Sequence, residues 1–493
     1  MKRAYILFTL SLLLLNLTCK AQTLRSAYFT PDYKYRHTLN PAFGNDQGYV
    51  SMPALGNLSI QLQGNFGLEN LFFQDPATGK YSRTLLHPDV SASEVLSGLN
   101  NENRIEANID ITLLSAGFRA FGGYNTIELN AKTMVGLSLP YELFEFAKNI
   151  GNKEYQFDFI GARAMSYAEV ALGHSHQLND NLRIGAKLKF LVGAGRADLN
   201  ISDMKATLTG NEWKMTTDHA VADVNVKGIR FENKTDDYKQ EGKGSYEHID
   251  LGNTSIDNGG ANGFGLGIDL GVEYRFQNSS ITALKPLRLS AALTDLGFIS
   301  WSDGIQLVQK QQQFIFHGFH EVPVKEEDEN GIPQPNQMED QTDSYADQLS
   351  DFIALEKGKE GGQTTGLAAT LNLGAEYALP VYERLTFGLL MHHRFFGEYS
   401  WTEGQLSANW APLSWLDGGV SLAVGTYSTS MGWVLNVHPV GMNFFIGMDH
   451  ILGKQSKEGI PLSSNVSFCL GMNVAWGKAH KKKKETSKYR RLL

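Results

Sequence analysis

Between Asn262 and Phe276 the chain alternates without a break. Phe264, Leu266, Ile268, Leu270, Val272, Tyr274 and Phe276 share one parity, and Gly263, Gly265, Gly267, Asp269, Gly271, Glu273 and Arg275 the other. A period of two is that of a strand, whose side chains point to its two faces in turn. The pattern recurs at Ser464 to Trp476, where Val466, Phe468, Leu470, Met472, Val474 and Trp476 oppose Ser467, Cys469, Gly471, Asn473 and Ala475. At Leu182 to Val192, the residues Leu182, Ile184, Ala186, Leu188, Phe190 and Val192 oppose Arg183, Gly185, Lys187, Lys189 and Leu191. These runs outlast the usual globular strand of about five or six residues; a tilted strand needs about ten to cross a bilayer.

A soluble sandwich or propeller also alternates, but it leaves the strand length, the aromatic ends of the apolar faces and the asymmetry of the connections unexplained. Tight connections fall at Asn179 to Asn181, Pro380 to Glu383, Pro412 to Trp415 and Pro439-Val440, and long ones at Trp301 to Gly366 and Gly453 to Ser463. Short periplasmic turns and long outer loops are the asymmetry of an outer-membrane barrel. No segment after the N-terminus offers the roughly 18 apolar residues of a spanning helix. With 50 Gly, 14 Pro and 2 Cys in 493 residues, the chain suits many strands and turns rather than disorder or a disulfide scaffold. The expected fold class is all-β: a transmembrane antiparallel β-barrel of about 14 strands. They fall near Leu58, Ile105, Tyr124, Tyr167, Leu182, Gly263, Leu287, Leu367, Arg384, Gly404, Leu416, Met431, Met442 and Ser464. Further strands near Lys205 and Val221 would make 16. Fourteen is preferred, with an outer-loop hairpin within Ala197 to Gly260.

Lys2 and Arg3 precede the apolar run Ala4 to Leu15, and Cys19-Lys20-Ala21 supplies a small-residue cleavage site, so residues 1–21 read as a secretory signal peptide. Cleavage after Ala21 fits better than lipidation of Cys19, which lacks the expected flanks in Asn16-Leu17-Thr18. Loss of Lys2, Arg3 and Lys20 takes the formal charge from -8 to -11 and leaves Cys469 as the only thiol, so burial and strand pairing must hold the fold. The expected location is the cell outer membrane.

Residues 22–57 carry Tyr28, Phe29, Tyr33, Tyr35 and Phe43 among turn-formers, a composition that predicts a hatch or plug folded inside the lumen. Its Arg36 and Asp32 are the expected partners of charged groups on the wall. The barrel proper spans 58–476. Within it 303–362 is an acidic extracellular insert with a mobile middle, and Tyr345 to Leu355 could form a short helix. Pro140 opens a second helix over Tyr141 to Asn149, with Leu143, Phe144 and Ala147 at helical spacing. Residues 477–493 form a basic periplasmic tail, read as solvated or as docking to lipid head groups or an acidic partner.

No G-x-S-x-G elbow, H-E-x-x-H helix or paired-cysteine spacing occurs, so neither an enzyme nor a resident metal or cofactor is expected. His174 and His176 share a face beside a turn and read as interfacial rather than chelating; His392 and His393 point to opposite faces. Taking Asn179-Asp180-Asn181 as a hairpin loop sets Gln177 opposite Arg183, Gly173 opposite Lys187 and Ala171 opposite Lys189, with Glu169 diagonal to Lys189. The lumen-facing candidates are therefore Glu169, Arg183, Lys187, Lys189, Asp269, Glu273, Arg275, Glu376 and Arg394. Mixed charge of this kind reads first as a ladder sealing the barrel around its plug, and second as a binding site.

The segments Ser26-Ala27-Tyr28-Phe29, Tyr35-Arg36-His37, Leu39-Asn40-Pro41-Ala42-Phe43, Leu137 to Asn152 and Leu296-Gly297-Phe298 resemble a family of exported Gram-negative proteins of unknown function, related to the long-chain fatty-acid transporter barrels. The resemblance spans nearly the whole mature chain. It implies a fourteen-strand outer-membrane barrel with an N-terminal hatch, and supplies no ligand or catalytic residue; the basic tail after Trp476 departs from barrels that end on an aromatic residue. Two functions are then open. The barrel binds or passes a hydrophobic or amphiphilic small molecule, as the resemblance suggests, or it is a non-enzymatic surface scaffold holding a secreted or surface protein through its outer loops. The expected partners are outer-membrane lipid and such a ligand or protein, with no nucleic acid.

Overall fold

The computed structural model describes residues 24–149, 151–209, 212–240, 242–317, 337–451 and 462–477. The expected signal peptide and all of the basic tail beyond Gly477 lie outside these residues, as does the middle of the acidic insert.

Fourteen antiparallel strands hydrogen-bond in chain order and close on themselves. They are β1 (Gly48–Ser51, resumed at Asn57–Gly64), β2 (Glu102–Ala120), β3 (Gly123–Pro140), β4 (Glu154–Gln177), β5 (Leu182–Leu208), β6 (Gly263–Arg275) and β7 (Leu287–Trp301). The circuit continues through β8 (Ala369–Ala378), β9 (Leu385–Phe395), β10 (Trp401–Leu413), β11 (Leu416–Gly425), β12 (Thr429–Val437), β13 (Met442–Met448) and β14 (Val466–Trp476). The seam pairs β14 with β1, Leu470 opposite Leu58 and Phe468 opposite Ile60. Closure leaves the wall no free edge.

The wall is inverted relative to a soluble protein. Phe264, Leu266, Ile268, Leu270, Leu188 and Phe190 are exposed on its outside, while Lys187, Lys189, Asp269 and Glu273 are buried within. A continuous apolar belt is stable only against lipid, and burial of charge only where the lumen supplies partners. No helix among the described residues is long and apolar enough to cross a membrane; the strands cross it.

One end of the barrel carries the tight connections, including Phe121-Gly122, whose φ values of +53° and +72° give the turn handedness that suits twisted strands. The other end carries the long loops, and there β4 and β5, with 24 and 27 residues, overshoot the bilayer. Their protruding part seeds an outer tier. His219–Val226 pairs with Gly195 to Ser202 of β5 and with Ile305–Gln309, which pairs in turn with Leu355–Glu360. Ile229–Asp237 and Ser245–Ile256 form a separate hairpin.

This arrangement rules out the sixteen-strand alternative. β6 occupies the partner edge of β5 from Leu182 to Gly193, so only the upper stretch of β5 is free to pair with His219–Val226, and Lys205 belongs to β5 itself. Two further boundaries move. Gly48–Ser51 pairs with Asn473 to Trp476 of β14, so the wall begins ten residues before the expected start at Leu58. Within the acidic insert Leu307 packs with Phe231 and Ile249 in a core of the outer tier, and the helix expected over Tyr345 to Leu355 runs over Gln337–Ile353. The helix at Tyr141–Lys148 follows Pro140 and buries Phe144 against Phe66.

Leu470 faces lipid and Cys469 the interior, but not open water: Cys469 is 1% exposed, in one cluster with Leu24, Tyr33 and Tyr35. Leu470→Arg should therefore block assembly of the wall, since arginine on the lipid face near mid-bilayer costs about 2 to 4 kcal/mol. Cys469→Arg should leave the wall formed and displace the segment beneath it. Heat-modifiable gel mobility checks the first, and protease cleavage before Gly48 the second; loss of the folded band in both would contradict the face assignment.

Candidate lumen site

Three layers fill the barrel, and the inner face of β5 passes through all of them. Gly185 lies against Pro41, Lys187 and Lys189 enter a lattice of charges, Leu191 joins an apolar layer, and Gly193 sits under the Trp301 ring.

The layer nearest the tight turns is residues 24–47, almost entirely buried. Tyr28, Phe29, Leu39 and Phe43 form one cluster, and Tyr33 and Tyr35 stack edge-on against Phe445 of β13. The segment meets the wall largely through polar contacts. Tyr28 Oη lies 3.0 Å from Ser290 Oγ, Tyr35 Oη donates to Asn473 Oδ1 (2.9 Å), Ser175 Oγ to the Ala42 carbonyl (2.7 Å), and Asn372 Nδ2 to the Leu39 carbonyl (2.9 Å). Asn40 braces the turn at Pro41, its Oδ1 accepting from Ala42 N (2.9 Å) and its Nδ2 donating to the Val272 carbonyl (3.3 Å). A Cβ on Gly185 would fall 2.1 Å from the Pro41 carbonyl oxygen, and one on Gly388 2.2 Å from the Phe29 ring, so the small residues of the inner face are the seats of the segment.

Arg36 does not make the wall pair expected of it, and Asp32 lies away from the lumen charges, 3.8 Å from His438 at the rim. The Arg36 guanidinium donates to the Tyr28 carbonyl (2.9 Å) and lies over the Phe43 ring, and the wall charges mostly satisfy one another. The cation that does bind the wall is Arg25, 3.0 Å from Glu403, with Asp449 accepting from the Arg25 and Ser26 amides at 2.9 and 2.7 Å. His37 joins the segment to the lattice: Nε2 meets Tyr49 Oη (2.8 Å) and Nδ1 lies 3.3 Å from Glu128. Burial holds this imidazole below its ordinary value, against the pull of Glu128.

The middle layer is the lattice. Lys189 reaches Asp295 at 2.7 Å and Asp269 at 2.8 Å, Lys132 reaches Glu169 at 3.1 Å and Asp295 at 3.3 Å, and Lys187 reaches Glu128 at 2.7 Å. Of the nine expected lumen residues, Glu169, Lys187, Lys189 and Asp269 meet here, around a cavity of about 80 Å3 that His392 also lines. The other five are also inside but elsewhere. Arg275 lies 3.0 Å from Glu273 and Arg183 3.9 Å from it; Glu376 pairs with Arg288 (3.4 Å) and Arg394 with Glu106. The facing register is Gln177 to Arg183, Gly173 to Lys187 and Ala171 to Lys189, as the hairpin argument required. His174 and His176 stack on each other on the outer side and His174 bonds Asn125 (2.9 Å).

Sequence reasoning missed Glu106, Asp110, Glu128, Lys132 and Asp295. Glu128 and Lys132 sit in plain alternation with Ile127, Leu129, Ala131 and Val135 and were legible. Asp295 was not, because a bulge re-aims it. The β6–β7 register shifts between Ile268 and Leu270, Asp295 takes φ +57°, and its amide donates to Asp269 Oδ1 (2.7 Å). The trace left in sequence is a phase change, from Leu287, Leu289 and Leu293 to Leu296 and Phe298.

The outermost layer is apolar: Met134, Met165, Leu191, Ile299, Trp301, Leu367, Phe396 and Tyr399 pack together over one side of the lumen. Between it and the lattice lies a second cavity of about 60 Å3, lined by Met134 and Met165 on one side and by Lys132, Asp295 and Arg394 on the other.

Comparison with solved structures finds similar barrels. The toluene transporter TodX of P. putida matches at 9% identity over 90% of this chain and 93% of that chain, with a TM-score of 0.35. A deltaS2S3 mutant of TodX, a monoaromatic hydrocarbon channel, matches at 10% identity over 93% and 95%, TM-score 0.40. The Ralstonia pickettii toluene transporter TbuX matches at 8% identity over 94% and 96%, TM-score 0.35. The closed circuit of strand pairs, rather than these scores, establishes the barrel. No curated protein matches the chain. The model of one family of unknown function matches residues 41–449, most of the wall together with the end of the lumen segment, and the chain belongs to that family, DUF5723.

Proposed function

We propose that the protein is a gated, non-enzymatic barrel of the cell outer membrane that binds or passes an amphiphilic small molecule, with residues 24–47 as its hatch. The observation that carries this reading is the stacking of an apolar layer on a charged one inside a single lumen. An apolar body fits against Met134, Met165, Leu191 and Phe396, while its polar end meets Arg394 and Lys132. A cavity of about 60 Å3 is room for a few waters, so in this closed state a ligand enters only when the apolar layer parts. The tight turns then face the periplasm and the outer tier the cell exterior.

The test is binding of a fluorescent fatty acid by the protein purified in mild detergent, with mass spectrometry of whatever co-purifies. Met165→Glu should weaken binding at least tenfold, while Leu172→Ala on the outer face leaves it unchanged. Equal affinities would remove the layer from the site. A second reading, a surface scaffold, is favoured by the outer tier, where Trp213 and Ile353 are 50% and 67% exposed on an ordered sheet and helix. If that reading holds, deleting residues 337–353 abolishes a protein partnership and leaves ligand binding intact.

A further inference from the structure

Where the hatch crosses the rim of tight turns, three potential ligands from three separate parts of the chain converge. Asp32 comes from the hatch, Asp417 from β11 and His438 from the turn after β12, with one ligating atom of each within 4.8 Å of the others. His438 Nε2 lies 3.8 Å from Asp32 Oδ2 and 3.7 Å from Asp417 Oδ1. Both separations are too long for a hydrogen bond. The His438 side chain is 6% exposed, and its buried Nε2 has no hydrogen-bond partner.

An imidazole nitrogen buried without a partner between two carboxylates lacks something that accepts its lone pair. Two ligand atoms each about 2.1 Å from one ion, at a tetrahedral angle, stand about 3.4 Å apart, so His438 needs to close on each carboxylate by only a few tenths of an ångström, and the two carboxylates, whose ligating atoms lie within 4.8 Å, close further through the exposed Asp32 side chain. The supporting contacts leave the ligating atoms their lone pairs. Asn436 Nδ2 donates to Asp417 Oδ1 (2.6 Å), the Asp32 amide donates to Asp417 Oδ2 (3.2 Å), and the His438 amide donates to the Trp415 carbonyl (2.7 Å), which fixes the turn. Such hydrogen bonds orient first-sphere ligands in metal sites. Lys34, on the same hatch segment, is turned to Gln47 Oε1 (3.1 Å). The Asp32 side chain is 44% exposed, so an ion can enter from the turn end.

We infer that Asp32, Asp417 and His438 form a divalent-cation site that fastens the hatch to the barrel rim. One nitrogen and two carboxylates suit a first-row transition ion such as Zn2+ and are too few, and too rich in nitrogen, for Ca2+. The site couples metal to gating because Asp32 belongs to the hatch and the other two ligands to the wall. Cys469 reports that coupling, since it is buried in one cluster with Tyr33, the hatch residue next to Asp32.

The experiment uses the full chain in detergent, stripped with EDTA and titrated with Zn2+. One equivalent should bind, and His438→Ala and Asp32→Asn should each weaken it at least tenfold while keeping the heat-modifiable mobility of the folded barrel. Zn2+ should slow maleimide labelling of Cys469 at least fivefold in the unsubstituted protein and not in His438→Ala; repeating the titration in Cys469→Ser excludes the thiol as the ligand. Zn2+ bound equally by the protein and by both folded variants, or no bound Zn2+ at all, overturns the site. Site-specific binding that leaves Cys469 labelling unchanged overturns the fastening.

Discussion

Deleting residues 24–46 is expected to turn a nearly closed barrel into a conductor, raising single-channel conductance in a planar bilayer by roughly tenfold or more. The apolar layer covers the side of the lumen walled by β3 to β7, with Phe396 and Tyr399 added from the loop after β9. The opposite side is filled by the hatch itself: Ser26 meets Ser421 of β11, Arg25 meets Glu403 of β10, and Leu24 lies against Gly447 of β13. Removal opens that side. The deletion must stop short of Gly48, because Gly48–Ser51 pairs with β14 and β2 and its loss would shorten the seam. The wall should still fold, since its ladder runs from strand to strand and the hatch adds mainly side-chain contacts. Gly185→Val offers a milder version that unseats Pro41 without shortening the chain. Low conductance in a truncated protein shown to be folded would place the block in the apolar layer alone.

Replacing Lys189 by Met should destabilise the barrel by about 3 to 5 kcal/mol, the usual cost of leaving buried charge without its partner. Lys189 is buried and lies within 4 Å of Asp269, Asp295 and Glu169, so its loss takes the ion pair from Asp269 and leaves Asp295 and Glu169 to share Lys132. The double variant Lys189→Met, Asp269→Asn should recover much of the loss, because it removes one of the stranded charges. The temperature at which the heat-modifiable band shifts measures both. Equal shifts for the single and double variants would mean that water in the 80 Å3 cavity already screens the lattice.

The sequence by itself determined the wall. Strict alternation over Gly263–Arg275 and Val466–Trp476 fixes which face of each strand meets lipid, and the short and long connections order fourteen strands with both ends at the turn side, because one residue of slippage would turn every apolar side chain to the wrong face. The aromatic run from Tyr28 to Phe43 likewise signalled a segment with something to bury against. The interior was decided by tertiary structure. That Asp295 turns inward depends on a bulge; that Arg25 rather than Arg36 binds the wall depends on where the hatch enters; that Gly185 and Gly388 are seats rather than gaps depends on what lies across the lumen. The convergence of Asp32 with Asp417 and His438 joins the hatch to a hairpin almost 400 positions later in the chain. The physical reason is one of range. Facing lipid is a property of a residue and its strand, written locally as a period of two, whereas partnership inside a closed barrel is set by the curvature and closure of the whole sheet, which no local period encodes.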